Sequence, residues 1–246
     1  MNDTVLTQEN NGVLTLTINR PERRNALDVA TYLSLAEHIR AASKNQDCRA
    51  LVITGASNYF TAGNDLKDFQ KPRTSGDSGG IILLRSLIDC DLPIIAAVEG
   101  RAIGIGVTML QHCDFICAAD NALFTIPFVA LGLCPEGASS VLLAQIVGAR
   151  RASDWLLRGK TFGAQEALDA GFITQVSNPG QALAIAQALG DELAALPPQA
   201  LQLSKRMMKH AQRPLLHETL KYEFELFSER LQSEEAQAAV AKLLKK

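Results

Sequence analysis

The sequence predicts an α/β protein in which a core of alternating strands and helices is followed by a helical C-terminal region. Short β-rich runs alternate with helical segments up to about residue 137. Beyond that point the apolar residues recur at helical spacing only. Strands that alternate with helices form βαβ units around a largely buried sheet, so this order indicates an α/β core.

The strands are predicted from short apolar runs that end at turn residues. Two such runs flank Asn11-Gly12, a pair typical of β-hairpin turns. Further runs have the continuous apolar character of buried strands. They are RALVITG (49–55), PIIAAVEG (93–100), FICAAD (115–120) and ALFTI (122–126).

The helices of the first part are predicted from caps and spacing. Asp28 is a candidate N-cap for a helix over residues 29–43, in which Leu33, Ala36 and Ile39 recur at helical spacing. The stretch GIGVTMLQHC indicates a short helix that is entered through glycines. Residues 68–80 are polar and rich in glycine and serine, which predicts a mobile surface loop.

The second part of the sequence is predicted to be helical throughout. Its helical segments are SSVLLAQIVG, ARRASDWLLRG, AQEALDAG and QALAIAQALGDELAAL, followed by a comparatively basic tail from Leu201. Pro197-Pro198 suits the start of that tail, because proline is favoured in the first turn of a helix.

Composition excludes several classes of protein. The net charge of −2 gives no reason to expect nucleic-acid binding. We find no apolar run of membrane-spanning length and no signal or transit peptide, so we expect a cytoplasmic protein without membrane attachment. The five cysteines and four histidines lack metal-ligand spacing, so no metal is expected and the cysteines are interpreted as reduced core thiols.

Common catalytic motifs are also missing. No GxSxG motif and no GxxxxGK[ST] motif occurs, which argues against a serine hydrolase and a P-loop protein. Gly104 and Gly106 resemble the start of GxGxxG, but Met109 stands where the third glycine belongs. A dinucleotide site is therefore only a minor alternative.

Two glycine-containing junctions and one acid indicate another chemistry. Ala62-Gly63-Asn64-Asp65 and Gly104-Ile105-Gly106 each follow a strand and enter a helical turn. Two such junctions can direct main-chain N–H groups into one space, the arrangement that stabilises a developing oxyanion. Glu136 lies in the apolar stretch ALGLCPEGASSVLL. Alone, each feature is typical of an ordinary turn, but together they indicate a catalytic site.

The sequence resembles the enoyl-CoA hydratase/isomerase (crotonase) superfamily over nearly its whole length. The resemblance is carried by NRPERRNALD (19–28), TAGNDL (61–66), PIIAAVEGRAIGIG (93–106), CDFICAADNALFTIP (113–127) and FGAQEALDAGFITQV (162–176). It implies a crotonase-like ββα superhelix, with residues 1–195 as the α/β core that holds an acyl-CoA site. Residues 196–246 would then be a helical region for trimerisation or for covering the site.

By motif position, the resemblance assigns the oxyanion-binding amides to Asn64 and Ile105. Hydratases of this family use two glutamates, but Thr108 and Phe128 occupy those positions here. The acid that remains is Glu136, in a context that resembles the peroxisomal-type Δ3,Δ2-enoyl-CoA isomerases. One acid is sufficient to move a proton between two carbons, and burial among Leu131, Leu133 and Phe128 should raise its pKa.

The resemblance also implies a set of residues that bind the coenzyme A part of the substrate and the acyl chain. They are Arg23, Arg24, Ala26, Ala62, Asp65, Leu66, Lys67, Gly104, Phe128 and Leu131. No cofactor is expected beyond the coenzyme A of the substrate itself. The family commonly forms homotrimers or dimers of trimers, so such an assembly is expected.

Three functions stay open on the sequence alone. The first is isomerisation of a 3-enoyl-CoA to the 2-trans-enoyl-CoA by Glu136. The second is another acyl-CoA reaction on the same scaffold, such as hydration, dienoyl isomerisation or thioester cleavage. The third is a non-catalytic, RNA-binding role, against which the balanced charge argues.

Overall fold

A six-stranded sheet forms the centre of the protein in a computed structural model that describes residues 3–68 and 77–244. Its strand order is β1-β2-β3-β4-β6-β9. The β1–β2 pair is antiparallel and each later pair is parallel. The strands are β1 (Val5–Asn10), β2 (Val13–Ile18), β3 (Ala50–Gly55), β4 (Ile94–Val98), β6 (Phe115–Ala119) and β9 (Gln175–Ser177).

A second, three-stranded sheet has the order β5-β7-β8. It consists of β5 (Arg101–Ile103), β7 (Leu123–Thr125) and β8 (Phe162–Gly163). Its first two strands are parallel and directly follow β4 and β6 along the chain. Each of these chain segments therefore contributes one strand to each sheet, which is the repeat expected of a ββα superhelix.

Helices cover both faces of the large sheet. They are α1 (Val29–Lys44), α2 (Gly79–Asp89), α3 (Ile105–Thr108), α4 (Ser139–Val147), α5 (Ala149–Leu157), α6 (Ala164–Asp169), α7 (Ala182–Ala194), α8 (Pro198–His210), α9 (Arg213–Leu231) and α10 (Glu234–Leu244). In β3, Ala50 and Val52 pack with α7, whereas Leu51 and Ile53 face the core that includes α1 and α2. Because both faces are buried, the strand is apolar from Ala50 to Ile53.

The C-terminal helices pack back onto the core. Lys205 of α8 is buried, and its Nζ donates hydrogen bonds to the Leu92 carbonyl (2.7 Å) and to Asp114 Oδ2 (2.6 Å). Helix α9 lies against α2 and α4. The proposed division at residue 195/196 falls between α7 and α8, and its status as a domain boundary stays a prediction.

Most of the predicted elements occur where the sequence places them. The prediction of helices alone after about residue 137 is wrong, because β8 and β9 lie in that part and β9 pairs with β6 in the large sheet. The hairpin turn forms at Asn11 and Gly12, both of which have positive φ. Asp28 caps α1, because its Oδ1 accepts a hydrogen bond from the Thr31 amide at 2.9 Å. One helical position is wrong: Leu33 is exposed, and Leu35 instead faces the core with Ala36 and Ile39.

The loop predicted over residues 68–80 is wrong at its end. Gly79 and Gly80 begin α2, and Ser78 caps this helix. Residues 69–76 of the predicted loop lie outside the described residues. The glycines at the start of α2 permit a close approach to α1, since a Cβ on Gly79 would lie 2.9 Å from Tyr32 Cβ.

No helix within residues 3–68 and 77–244 is both long enough and apolar enough to cross a membrane.

Candidate active site

The two glycine-containing junctions lie side by side. Thr61 forms a parallel bridge with Ala102, which aligns the chain before the first junction with β5. Gly63 has a φ of +83°, and a Cβ there would lie 2.5 Å from the Ile103 carbonyl oxygen. A Cβ on Gly106 would lie 2.4 Å from Thr61 Cγ2. The close approach of the two junctions therefore requires glycine on both sides.

Each junction presents a main-chain N–H group that has no acceptor among the described residues. The Asp65 amide donates to Leu27 O and the Gly104 amide to Thr125 O, both at 2.9 Å. The neighbouring amides, those of Asn64 and Ile105, donate to no acceptor in the part of the chain that the structure describes. Because Ile105 is the first residue of α3, its amide has no partner within the helix. The structure thus brings together the two junctions that contain Asn64 and Ile105, whose amides the family resemblance assigns to oxyanion binding.

Tyr32 of α1 fixes the side chain of Asn64. Its hydroxyl donates a hydrogen bond to Asn64 Oδ1 at 2.7 Å. Burial raises the pKa of Tyr32 well above its usual value, and the charge of Glu136 raises it further, so the phenol is neutral. The effect of Glu136 on Tyr32 requires the two side chains to lie near each other, and Tyr32 also contacts Asn64 of the first junction. Tyr32 was not among the site residues predicted from the sequence, because a tyrosine at a buried helix position is also typical of ordinary core packing.

Glu136 lies beside α3 and keeps only part of its surface exposed. The Thr108 hydroxyl donates a hydrogen bond to Glu136 Oε1 at 2.5 Å. Burial raises the pKa of Glu136 to about 8, although the hydrogen bond from Thr108 opposes this shift; Glu223 contributes a further increase. The hydrogen bond from Thr108 holds the carboxyl group against α3. Glu136 is therefore a desolvated acid that can exchange a proton near neutral pH.

The backbone that carries Glu136 is held by groups from two other parts of the chain. His112 Nε2 lies 2.9 Å from the Gly137 carbonyl oxygen. Burial lowers the pKa of His112 to about 4, so the imidazole is neutral. Its Nε2–H group donates a hydrogen bond to that carbonyl oxygen. The next amide, that of Ala138, donates to Glu223 of α9 at 2.6 Å. The sequence analysis named neither His112 nor Glu223 as a site residue.

Apolar residues surround Phe128, one of the two positions at which the resemblance would place a glutamate in a hydratase. Phe128 is buried, and its ring meets the ring of Phe227 edge to face at 6.0 Å. A Cβ on Gly104 would lie 3.6 Å from Phe128 Cε1, so this aromatic ring borders the second junction. Leu131 is half-buried and Leu133 is buried in the same core. The position thus holds an aromatic ring with no group that could bind water.

Several candidate coenzyme-binding residues lie in residues 19–28 and in the first junction, residues 62–65. Main-chain hydrogen bonds join these two segments. The Ala62 amide donates to Arg24 O at 2.9 Å, and the Leu27 amide donates to Gly63 O at 2.8 Å. Arg23, Arg24 and Lys67 are exposed, whereas Ala62 and Leu66 are half-buried and Ala26 is buried. These hydrogen bonds place the exposed basic side chains close to the Asn64 junction.

Asp65 differs from the other candidate coenzyme-binding residues because its carboxylate already has partners. Arg20 Nη2 lies 3.1 Å from Asp65 Oδ2 and also 3.1 Å from Asp28 Oδ2. The Lys67 amide donates to Asp65 Oδ1 at 3.2 Å. These contacts give Asp65 a role in fixing the turn after the first junction. Arg20 was not among the sequence candidates.

Within the described ranges, no three His, Cys, Asp or Glu residues are grouped so that they could hold a metal ion.

The geometry and the comparisons with known proteins agree on the class of the fold. The sequence model of the family described as "Enoyl-CoA hydratase/isomerase" matches residues 8–246. A solved structure described as an enoyl-CoA hydratase/isomerase from Pseudoalteromonas atlantica T6c superimposes with a TM-score of 0.95. It is 39% identical, and the match covers 98% of this chain and 97% of that one.

Two relatives of similar sequence identity are named for different reactions, one an isomerisation and the other a hydration. The human protein "Enoyl-CoA delta isomerase 2" is 33% identical over 98% of this chain, which spans 63% of the length of that relative. The Escherichia coli (strain K12) protein "2,3-dehydroadipyl-CoA hydratase" is also 33% identical, over 95% of this chain and 92% of its own length. The fold is therefore the crotonase fold. The chain belongs to the enoyl-CoA hydratase/isomerase family.

Proposed function

We propose that the protein is an acyl-CoA isomerase that converts a 3-enoyl-CoA into the 2-trans-enoyl-CoA, with Glu136 as the group that moves the proton. The observation that carries the proposal is the position of one desolvated acid, bonded to Thr108, next to two junctions with unused amides. The similarity to the human delta isomerase supports the same reaction.

The reaction balances with one carboxyl group. The ionised Glu136 takes a proton from C2 of the substrate, and the electron pair of that C–H bond passes to the thioester oxygen as a dienolate. The amides of Asn64 and Ile105 donate hydrogen bonds to that oxygen. Glu136 then returns the proton to C4, so that the C3–C4 double bond is lost and a C2–C3 double bond forms. No atom is gained or lost, and the steps require no group beyond the chain and the thioester.

Burial of Glu136 suits this use of the acid. General acid–base catalysis is most effective when the pKa of the group lies near the working pH, because the group must both take and release the proton. The pKa of about 8 brings the two protonation states of Glu136 close to balance near neutral pH. The phosphates of coenzyme A are proposed to lie near Arg23, Arg24 and Lys67, which are exposed.

Hydration is the second candidate, because the Escherichia coli relative is named as a hydratase. Adding water to the double bond requires an acid or base in addition to the group that protonates carbon. Thr108 and Phe128 supply neither. Glu223 is a second carboxylate in the region, but its two oxygens accept hydrogen bonds from the amides of Ala138 and Ser140. Isomerisation therefore fits the site better than hydration does.

The test compares the two reactions in one protein preparation. A 3-enoyl-CoA is supplied and the gain of the conjugated thioester absorbance is followed; crotonyl-CoA is supplied separately and loss of that absorbance is followed. We expect isomerisation to exceed hydration, and Glu136→Gln to reduce isomerisation by roughly 10²–10⁴-fold. The control is Glu225→Gln, at an exposed position of α9. Fast hydration with an untouched 3-enoyl substrate would contradict the proposal.

Self-association is proposed as well, through the exposed faces of α8 and α9. Large apolar side chains remain exposed there; they are Leu203, Met207, Met208, Leu215, Tyr222 and Leu226. Exposed apolar patches of this kind mark interaction surfaces. Light scattering on the purified protein should give a mass of about three chains or a multiple of three, and a monomer would contradict the proposal.

A further inference from the structure

Glu223 is a buried acid on α9 that binds the start of α4. Its Oε2 accepts a hydrogen bond from the Ala138 amide at 2.6 Å, and its Oε1 accepts one from the Ser140 amide at 2.9 Å. The side chain is 4% exposed. The first amides of a helix have no partner within the helix and favour a negative group, so the carboxylate satisfies two donors at once.

The backbone at this point adopts a conformation that a non-glycine residue avoids. Ala138 has φ +60° and ψ +19°, in the left-handed region, which costs roughly 1 kcal/mol or more for a residue with a Cβ. Such a conformation persists where the surroundings fix it. Here the fixing contacts are the Glu223 carboxylate on Ala138, the His112 ring on Gly137, and a 2.6 Å hydrogen bond from Ser139 Oγ to the Glu136 carbonyl.

The same contacts set the position of the Glu136 side chain. Glu136 is two residues before Ala138, and a Cβ on Gly137 between them would lie 2.9 Å from Thr108 Oγ1. The turn is therefore pressed against Thr108, the residue that donates the hydrogen bond to Glu136. A displacement of Ala138 would be passed to Glu136 through a single intervening residue.

Glu223 also places a negative charge near Glu136. Its charge adds to the effect of burial in raising the pKa of Glu136, and the pKa of Glu223 is itself raised by burial. Neither carboxylate forms an ion pair with a basic group among the residues that the structure describes. The other groups that face this pair or its turn, apart from Thr108, are Tyr32, His112, Cys134 and Arg230.

None of these groups substitutes for Glu223. Burial keeps the Tyr32 phenol and the His112 ring neutral, and it raises the pKa of the Cys134 thiol. The Arg230 guanidinium donates to Gly132 O at 2.9 Å and pairs with Glu235. Glu223 is accordingly the acid whose charge acts directly on Glu136.

We propose that Glu223 is a positioning residue for Glu136: it fixes the left-handed turn behind Glu136 and holds a second negative charge near the Glu136 carboxyl group. Glu136 then retains a captured proton long enough to return it to the substrate. The catalytic part of this inference rests on the proposed function, whereas the coupling of the two acids does not.

The test is a direct titration of Glu136. The carbon-13 resonance of its carboxyl group, assigned with Glu136→Gln, is followed against pH in the original protein and in Glu223→Gln. Removing a like charge favours the ionised form, so we expect the midpoint to fall by roughly one pH unit. Glu225→Gln is the matched control, because it makes the same charge change on an exposed turn of α9.

Kinetics provide the second readout. The acid limb of kcat/KM should move to lower pH with the titration in Glu223→Gln. We expect kcat at the pH optimum to fall by roughly tenfold, since glutamine replaces one of the two acceptor oxygens with an NH2 group that cannot accept a hydrogen bond. KM should change little, because Glu223 is placed behind the turn and away from the substrate. A purely structural role would leave the midpoint of the titration unchanged.

An unchanged Glu136 midpoint in folded Glu223→Gln, or an equal shift in Glu225→Gln, would overturn the inference. If Glu223→Gln does not fold, Glu223→Asp retains the charge and shortens its reach. We then expect a lower kcat and a midpoint shift of less than roughly one pH unit, and unchanged values of both would again overturn the inference. A shifted midpoint in a protein without isomerase activity would contradict the proposed function but support the coupling of the acids.

Discussion

The two junctions and the turn of Glu136 are two parts of one site that are built by different means. The junctions are fixed by main-chain contacts: the Thr61–Ala102 bridge, and the approach of Gly63 to the Ile103 carbonyl. The acid turn is fixed by side chains, since His112 and Glu223 bind its backbone. Main-chain geometry offers donors that need no rearrangement during the reaction. Side-chain contacts allow the proton affinity of an acid to be adjusted.

Gly63→Ala, which changes the first junction and leaves the turn of Glu136 intact, is expected to have the largest effect on catalysis. The new Cβ would lie 2.5 Å from the Ile103 carbonyl oxygen, and the residue would keep a φ of +83°. The junction must therefore move, and its Asn64 amide with it. Loss of one oxyanion donor typically costs roughly 10²–10³-fold in rate, so we expect a fall of that size in kcat.

Gly171→Ala is the matched control for Gly63→Ala. Gly171 also has a positive φ, of +71°, but a Cβ there would meet nothing within 4 Å. It should show the cost of the backbone conformation, about 1 kcal/mol of stability, with kcat unchanged. If both variants lose activity equally, the close contact of the junctions is not what positions the amide.

The next prediction concerns the effect of the buried Glu136 on the stability of the protein. The pKa of Glu136 is about 8 in the folded protein, against 4.5 as its ordinary value. Between these values the folded protein binds more protons than the unfolded chain, so the free energy of unfolding falls as the pH rises. Glu136→Gln removes this pH-dependent decrease in the free energy of unfolding. We expect the gain in stability of the variant over the original protein to increase from pH 5 to pH 8 by an amount on the order of 3 kcal/mol.

Urea unfolding at pH 5, 6, 7, 8 and 9 measures this difference. The gain should be small at pH 5, increase through neutral pH and level off above pH 8. Glu225→Gln should follow the original protein at every pH, because Glu225 is exposed. A gain that is equal at all pH values would show that Glu136 is not desolvated.

The same contrast explains how much of the molecule the sequence could predict. Gly63 follows the bridge at Thr61, Gly104 follows β5, and the local pattern of glycines in the sequence was enough to place both junctions. Glu136 was identified because it is a charge within an apolar stretch. Such predictions succeed where the cause lies within a few residues of the feature.

Glu223, Tyr32 and α2 could not be predicted in this way. Glu223 lies in KYEFELFSER with other acidic residues, and only the packing of α9 decides that Glu223 faces inward while Glu225 faces solvent. Tyr32 acquires its role from Asn64, which is distant in sequence. Helix α2 begins at two glycines, which normally indicate a loop, and those glycines serve the contact with Tyr32 instead. Thr108 was counted only as a missing acid, although it binds Glu136.

The smallest expected effect concerns Thr108, the residue that joins the two parts of the site. Thr108 is buried in α3, which begins at the second junction, and its hydroxyl hydrogen bond lowers the pKa of Glu136 against the effect of burial. Thr108→Val keeps the shape and removes the hydroxyl. The pKa of Glu136 should then increase, and the acid limb of kcat/KM should move upward by about half to one pH unit, the equivalent of one hydrogen bond. Thr108→Ser retains the hydroxyl and should leave the limb in place. A downward shift in Thr108→Val would mean that the hydroxyl stabilises the protonated acid, and the direction of the coupling between the junction and the acid turn would be the reverse of the one inferred.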